Sequence, residues 1–514
     1  MNDIVEFVQR LPRRDPRDLL GEFGAFNLFA IWWTSVLVSL VVGWVVQRRY
    51  RHQQFKRWGI PGPEADSLIF GHHLTIHKDP EEVLNRWAKQ YGPVFGHYIG
   101  DVPVLNICDP DMVKEVFVKS VSIFRERPPV PLSQYPVDQT LLLVPHQRWK
   151  RVRVMLSPAF SASKLKFMMN LMNQSAETLL GVIAKYARTR EAVCFFDLSQ
   201  KVTLDVIARC ALATKINCLH DDKDKFLNDV RGFLANSDHL AYHLALGLPI
   251  IERLLLVISR FTSSYALMTG LMENIHEVVK SRRDRGVRME DMIQLMMDAA
   301  ESGSDRITDD EIAANAFLFL VGGYETTAIT TTMASFLLSK HPDEQEKLYA
   351  EISAVWNTDE ALNYEQVSKL KQTEAFLLET LRMYSPVITM VSRLGDQEIK
   401  LGGHTIPGGV RIQAAVSSIH MNEKFWPEPE KFSPERFLDN HASSQPHYLA
   451  FGAGAKMCLG KRFALLEMKI TLAHILKHFE LKLATPGQEV PKRKLVNVSL
   501  VPVGDVPLIV ERRP

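Results

Sequence analysis

The first strong pattern along the chain is a run of 21 residues, positions 26–46, without a charge. At about 1.5 Å of rise per residue, a helix of that length spans a ~30 Å hydrocarbon core. Trp32, Trp33 and Trp44 are of the type that gathers at membrane interfaces. A cleaved signal peptide fits poorly, because 25 residues precede the run and no small-x-small site follows it. A retained transmembrane anchor is therefore expected. Arg48, Arg49, Arg51, Lys56 and Arg57 follow it closely, whereas Arg10, Arg13, Arg14 and Arg17 stand further off on the other side, which favours a cytosolic body. Pro61 and Pro63 around Gly62 then make a stiff turn. This reading divides the chain into an N-terminal segment (1–25), the anchor (26–46), a basic linker and turn (47–63), and the body (64–514).

Within the body, apolar residues recur at helical spacing over 81–91, 110–119, 147–156, 163–187, 199–213, 224–236, 263–284, 309–339, 343–355 and 373–384. Strand-like runs are short: 94–99, 102–107, 398–401 and 410–415, with further strands expected near the C-terminus. The expected fold class is mainly α with small β-sheets, in a single large domain. A second apolar stretch, 241–258, is interrupted by Pro249, Glu252 and Arg253. It is too broken to span a membrane and reads as a buried or membrane-dipping segment.

Composition narrows the classes. The chain is 46% apolar and 23% charged, with net charge +2, an ordinary globular balance that gives no reason to expect a nucleic-acid partner. Its five cysteines, 108, 194, 210, 218 and 458, form no C-x-x-C pair and no zinc spacing. A disulfide framework is not expected, which favours a reducing compartment.

Taken alone, Cys458 reads as a small buried hydrophobe, the usual state of a free cysteine. Its setting is unusual. Phe451-Gly452-Ala453-Gly454-Ala455-Lys456-Met457-Cys458-Leu459-Gly460 precedes a helical pattern carried by Phe463, Leu466, Ile470, Ala473 and Leu476. The cysteine thus sits on a glycine-rich turn before a helix N-terminus, where unpaired amides favour a thiolate. The glycines let the backbone approach a flat ligand. The pattern F-x-x-G-x-x-x-C-x-G arises by chance in such a chain on the order of one time in a thousand.

This loop resembles the haem-binding loop of the cytochrome P-450 family. The resemblance implies that Cys458 is the proximal iron ligand, whose electron donation favours O–O cleavage, a property for which P-450 haem is itself the reference case. It also implies the cytochrome P-450 fold, a haem-enclosing domain with haem b as cofactor, held by a loop that includes Phe451, Lys456 and Gly460. One departure stands out: Lys456 occupies a position where the family usually has arginine, giving a point charge in place of a planar fork.

Other segments agree in the family's order. Glu379 and Arg382 lie three apart on a helix, an ordinary pair by itself. With Arg436 of Pro434-Glu435-Arg436-Phe437 they resemble the family's buried structural triad. The helix over 308–339 opens with Thr308 and Glu311 as a capping box and would run roughly 45 Å. Its centre reads Gly322-Gly323-Tyr324-Glu325-Thr326-Thr327. Two glycines there cost about 1 kcal/mol each relative to alanine, and the Thr326 hydroxyl can bond back to the Gly322 carbonyl and distort the turn. A close-packed glycine pair beside ordinary polar residues is the plain reading. The resemblance makes Glu325 and Thr326 an acid–alcohol pair that delivers protons. Trp149 and Arg153, four apart on one helix face, resemble propionate-binding residues. Arg393 and His420 stand where further propionate contacts often arise.

The implied reaction inserts one oxygen atom of O2 into a lipophilic substrate. No G-x-G-x-x-G or flavin site is present in the sequence, so the electrons must come from a partner. The resemblance implies an NADPH-dependent cytochrome P-450 reductase, with cytochrome b5 as a second donor, in the endoplasmic reticulum membrane. Lys150, Arg151, Lys456, Lys461 and Arg462 are expected to dock an acidic surface of that partner. The motifs GYETT, PERF and FALLEMK look most like the microsomal drug-metabolising and thromboxane-synthase group. Retention of Glu325 and Thr326 favours oxygenation over isomerisation within it. Regions 123–145, 217–260 and 386–391 are expected to line the substrate pocket. A haem isomerase and a non-catalytic haem carrier are the alternatives.

Overall fold

The structure is a computed structural model and describes residues 16–237, 239–289, 291–302, 307–439 and 441–514. The chain falls into two units, Met1–Gln54 and Phe55–Pro514. In the first, α1 (Pro16–Arg51) is one helix that begins ten residues before the apolar run, and its stretch Phe29–Arg51 is long and apolar enough to cross a membrane. Arg10, Arg13 and Arg14, used above to argue orientation, lie outside the described residues.

In the second unit α2 (His73–Lys78) and α3 (Pro80–Tyr91) precede the first sheet, the latter capped by Asp79, whose carboxylate accepts from the Glu82 N–H at 3.0 Å. Strands β1 (Val94–Ile99) and β2 (Val102–Ile107) pair antiparallel with Ile99 opposite Val102 across a tight turn. Gly100 has φ +61°, the left-handed conformation such a turn needs. A helix expected over 110–119 is instead a short α-helix, Pro110–Lys114, running into a wider turn, Glu115–Lys119, because the Ser120 N–H reaches back five residues to the Glu115 carbonyl at 2.8 Å.

A helical layer follows: α4 (His146–Leu156), α5 (Ala162–Thr189), α6 (Phe195–Leu212) and α7 (Lys225–Asn236). The stretch 241–258 forms α8 (Leu240–Gly247) and α9 (Glu252–Ser259), separated at Pro249. Leu240, Ile250, Leu254 and Val257 are exposed there, so the segment is not a buried one. Next come α10 (Ser263–Arg285) and α11 (Met292–Ser302), the second unforeseen from sequence. The helix α12 (Asp309–Lys340) crosses the core with its sides buried almost all round and packs along α6. Its capping box is present: Thr308 Oγ1 accepts from the Glu311 N–H at 3.2 Å, and Glu311 accepts from the Thr308 N–H at 2.9 Å. Then α13 (Pro342–Val355) and α14 (Lys371–Met383) lead to β3 (Ser392–Leu394) and β4 (Arg411–Ala414).

Strand β4 lies between β2, to which it is parallel, and β3, to which it is antiparallel, closing a four-stranded sheet. The last helix, α15 (Lys461–His478), is followed by short C-terminal strands, among them Ser499–Pro502. The fold is mainly α with small sheets. It brings α12, the loop before α15 and the end of α14 around one cavity.

Candidate functional site

The loop before α15 is shaped by glycines. Gly452 and Gly454 have φ of +75° and +69°. A methyl group on Gly454 would lie 1.9 Å from the Phe117 carbonyl oxygen, so only glycine fits there. The Cys458 N–H donates to the Phe451 carbonyl at 2.9 Å, and the Met457 N–H donates to that of Gly454 at 3.0 Å. These bonds turn Cys458 into a cavity of about 340 Å³. Its exposure is to that cavity and not to open solvent. The helix-start amides do face the sulfur, but they do not prevail in the polypeptide alone. Burial pushes the Cys458 thiol up, against the Gly460 N–H, the Arg153 charge and the Lys461 N–H.

The wall is mostly apolar. Among the described residues its charged members are all cations: Arg127, Arg153, Arg393 and Lys456. Burial, chiefly, and neighbouring positive charge push Arg127 down to about 10, Arg393 to about 9 and Lys456 to about 8. Arg127 donates to the carbonyls of Leu141 at 3.3 Å and Lys456 at 3.1 Å. Arg393 donates to the Ala453 carbonyl at 3.3 Å and lies over the Phe117 ring. The Lys456 ammonium stands 5.0 Å above the Trp149 ring, and the buried indole Nε1 of Trp149 has no hydrogen-bond partner. Arg127 lies in the region 123–145 expected to line the pocket, but its part as a wall cation was not foreseen, since the loop that carries it bears no motif.

Thr326 and Glu325 are separated by the helix. Thr326 is on the cavity wall, its hydroxyl donating to the Gly322 carbonyl at 2.7 Å as expected, yet α12 stays α-helical through this turn. Gly322 faces open space, whereas a methyl on Gly323 would lie 2.9 Å from Ile207 Cδ1. The first glycine therefore widens the cavity and the second lets α6 approach. Glu325 is not on the wall. It is buried to one side, its carboxyl pushed up by burial against an opposing hydrogen bond from the Ser499 side chain.

Glu379, Arg382 and Arg436 are brought together behind the cavity. Arg382 Nε and NH2 donate to the two Glu379 oxygens at 2.7 and 2.9 Å, and Arg436 Nε lies 3.5 Å from Glu379 Oε1. His420 corrects the expectation of a propionate contact. It is fully buried beside this group, with Nδ1 2.9 Å from the Arg382 carbonyl and Nε2 accepting from the Leu449 N–H at 2.8 Å. Both ring nitrogens are engaged, and the ring is off the cavity wall.

The arrangement suits a flat, apolar, dianionic group carrying a metal. The thiol offers a soft ligand, apolar walls accept a ring system, and four clustered cations suit carboxylates, while Trp149, off the wall beside Lys456, carries an orphaned indole N–H. That combination defines a haem-thiolate protein. The family model described as Cytochrome P450 matches residues 61–506, and the chain belongs to that family. Cytochrome P450 3A28 of Bos taurus is 32% identical over 498 residues, covering 92% of this chain and 96% of that protein. Cytochrome P450 3A5 of Homo sapiens is 32% identical over 495 residues, covering 91% and 96%. Lithocholate 6-beta-hydroxylase of Mesocricetus auratus is 30% identical over 469 residues, covering 89% and 92%. The chain is a cytochrome P-450 monooxygenase, an oxidoreductase.

Proposed function

We propose that this chain inserts one oxygen atom of O2 into a lipophilic substrate, with haem b held by Cys458 and electrons drawn from an NADPH-dependent reductase. The observation that carries the reading is the Cys458 thiol facing a mostly apolar cavity whose charged lining residues, among the described residues, are all cations. Haem bound there supplies the dioxygen activation that side chains lack. Arg127, Arg153, Arg393 and Lys456, with the Trp149 N–H, bind its two carboxylates. Leu318, Phe319, Val387, Met390 and Val391 exclude water and select apolar substrates. The hamster relative's name makes a bile-acid-like steroid the first substrate to try.

Thr326 holds a hydroxyl at the wall, free to accept a further hydrogen bond while it donates to Gly322. Glu325, inclined to keep its proton, lies one residue away outside the wall. Phe451 and Gly460 shape the two ends of the cysteine loop. Lys150, Arg151 and Arg462 form an exposed basic face, with Lys461 partly covered beside Phe451. They dock the reductase or cytochrome b5. The apolar helix Phe29–Arg51 anchors the chain in the endoplasmic reticulum membrane, with the second unit in the cytosol.

The test is the spectrum of the reduced, carbon monoxide-bound protein. A thiolate ligand gives a strongly red-shifted Soret band that Cys458→His abolishes; a haem-loaded wild type without that band overturns the reading. With reductase and labelled O2, label should enter the product, and Thr326→Val should lower product formed per NADPH consumed while leaving that band intact. Label-free product would favour an isomerase.

A further inference from the structure

A guanidinium withdrawn from solvent calls for a counter-charge. Arg148, Arg209, Arg231, Arg282, Arg382 and Arg493 each have one, paired with a carboxylate. Arg127, Arg153 and Arg393 have none, and they line the cavity where the haem carboxylates fit. Arg411 belongs to neither group. It is partly buried, has no carboxylate partner among the described residues, and is not on the cavity wall.

Its place follows from β4. Residues alternate along a strand, so Arg411 and Gln413 share a face. Arg411 Nη2 donates to Gln413 Oε1 and to the Thr389 carbonyl, both at 3.2 Å. Thr389 directly precedes Met390 and Val391, which do line the cavity. The titratable groups that face the guanidinium are the Tyr242 phenol on α8 and the His97 imidazole on β1, and neither replaces a carboxylate. The buried Nε has no hydrogen-bond partner, and Nη2 alone donates among the described residues. Burial pushes the guanidinium down to about 10, so it is still a cation at neutral pH.

We propose that Arg411 is a specificity-determining residue that binds the carboxylate of an amphipathic acid whose lipophilic body occupies the cavity. The inference rests on the oxygenation proposed above and adds a charge preference to it. A substrate packed on Met390 and Val391 has its end one residue from the carbonyl that Arg411 already holds. The donors that Arg411 does not spend on protein then take up the acid as charge-assisted hydrogen bonds. An uncharged substrate of the same shape leaves them unused.

The experiment is titration of the haem-loaded, full-length protein with cholanic acid and with its methyl ester, followed by the ligand-induced Soret shift and referred to free ligand measured by dialysis. An anchored acid binds ionised, so in the wild type its affinity should hold level or fall as pH is lowered from about 8 to about 6. Without an anchor only the neutral acid enters an apolar cavity, and affinity rises about tenfold per pH unit; that result overturns the proposal. Arg411→Gln should weaken the acid relative to the ester by roughly ten- to a hundredfold and leave the ester unchanged. Arg411→Lys should keep part of the preference, as a point charge in place of a fork. The carbon monoxide band reports that each variant is folded, and equal effects on both probes in a variant that keeps it also overturn the proposal. An ester that is bound and oxygenated while the acid is not preferred removes the anchor alone. A wild type with its carbon monoxide band that neither binds nor oxygenates lipophilic probes removes the underlying reading as well.

Discussion

Replacing Glu379 by alanine removes the acceptor of a guanidinium that has no path to water. Arg382 contacts both carboxylate oxygens, at 2.7 and 2.9 Å, and both side chains are 0% exposed. Deleting one partner of such a pair costs ~3–5 kcal/mol, because the other charge is left buried and unbalanced. Arg382 keeps its bonds to the carbonyls of His420 at 2.6 Å and Pro429 at 2.7 Å, while the Ser433 N–H, 3.0 Å from Glu379 Oε1, loses its acceptor. Glu379→Ala is therefore expected to cost about 3–5 kcal/mol, and Arg382→Met a similar amount, since it strands the carboxylate and both carbonyls. The double variant removes the fully buried pair and keeps one charge, Arg436, which is 14% exposed and still donates to the Glu428 carbonyl at 2.9 Å. The groups it newly strands in the fully buried interior are neutral, each worth about 1–3 kcal/mol, so it should fall short of the sum of the singles by at least ~2 kcal/mol. Urea unfolding of the haem-loaded protein, followed by far-ultraviolet circular dichroism and compared by midpoint at a common slope, measures this. Additivity within about 0.5 kcal/mol would refute the treatment of these residues as one buried charge unit.

Gly454→Ala should prevent stable haem retention, since a methyl 1.9 Å from the Phe117 carbonyl at φ +69° can be relieved only by moving backbone. Gly460→Ala, whose methyl meets nothing closer than Phe160 Cε1 at 3.9 Å, should keep the carbon monoxide band; equal loss in both would show that space is not what selects these glycines. Burial and the Arg382 charge push the His420 imidazole down from 6.5 to about 3. A depressed value means that the native state refuses a proton the unfolded chain accepts, so this contribution to stability is complete above pH 6.5 and is lost as pH falls toward 3. His420→Gln should flatten the acid dependence of the urea midpoint below pH 6.5 by about 1.4 kcal/mol per pH unit. Parallel pH profiles for wild type and variant would contradict the buried neutral ring.

Legibility followed how locally each feature is encoded. Long amphipathic helices such as Ala162–Thr189 and Ser263–Arg285 agree with their apolar spacing to within a residue or two, because burial of one face decides them. The cysteine loop and the Glu379–Arg382 pair were legible because their parts are close in sequence. Arg127 was not, because its place on the wall depends on the Leu141 and Lys456 carbonyls, which the chain brings to it from elsewhere. Adjacency in sequence is not adjacency on the wall. Glu325 and Thr326 are neighbours, but successive helical residues point about 100° apart, and the fold sends one to the Ser499 side and the other to the cavity.

The surroundings of Cys458 separate two uses of a cysteine. A nucleophilic cysteine needs its thiolate favoured before substrate arrives, usually by an adjacent imidazole. Among the described residues no histidine and no carboxylate lines this cavity, and burial holds the thiol up despite two amides and Arg153. Such a sulfur is a poor free nucleophile. A metal ligand has no such requirement, because coordination itself removes the proton. The same burial that weakens the free thiolate would shield a metal–sulfur bond from water, and Arg127, Arg153, Arg393 and Lys456 would supply the counter-charge for the group's carboxylates. The features that disqualify Cys458 as a nucleophile are those that suit it as a ligand.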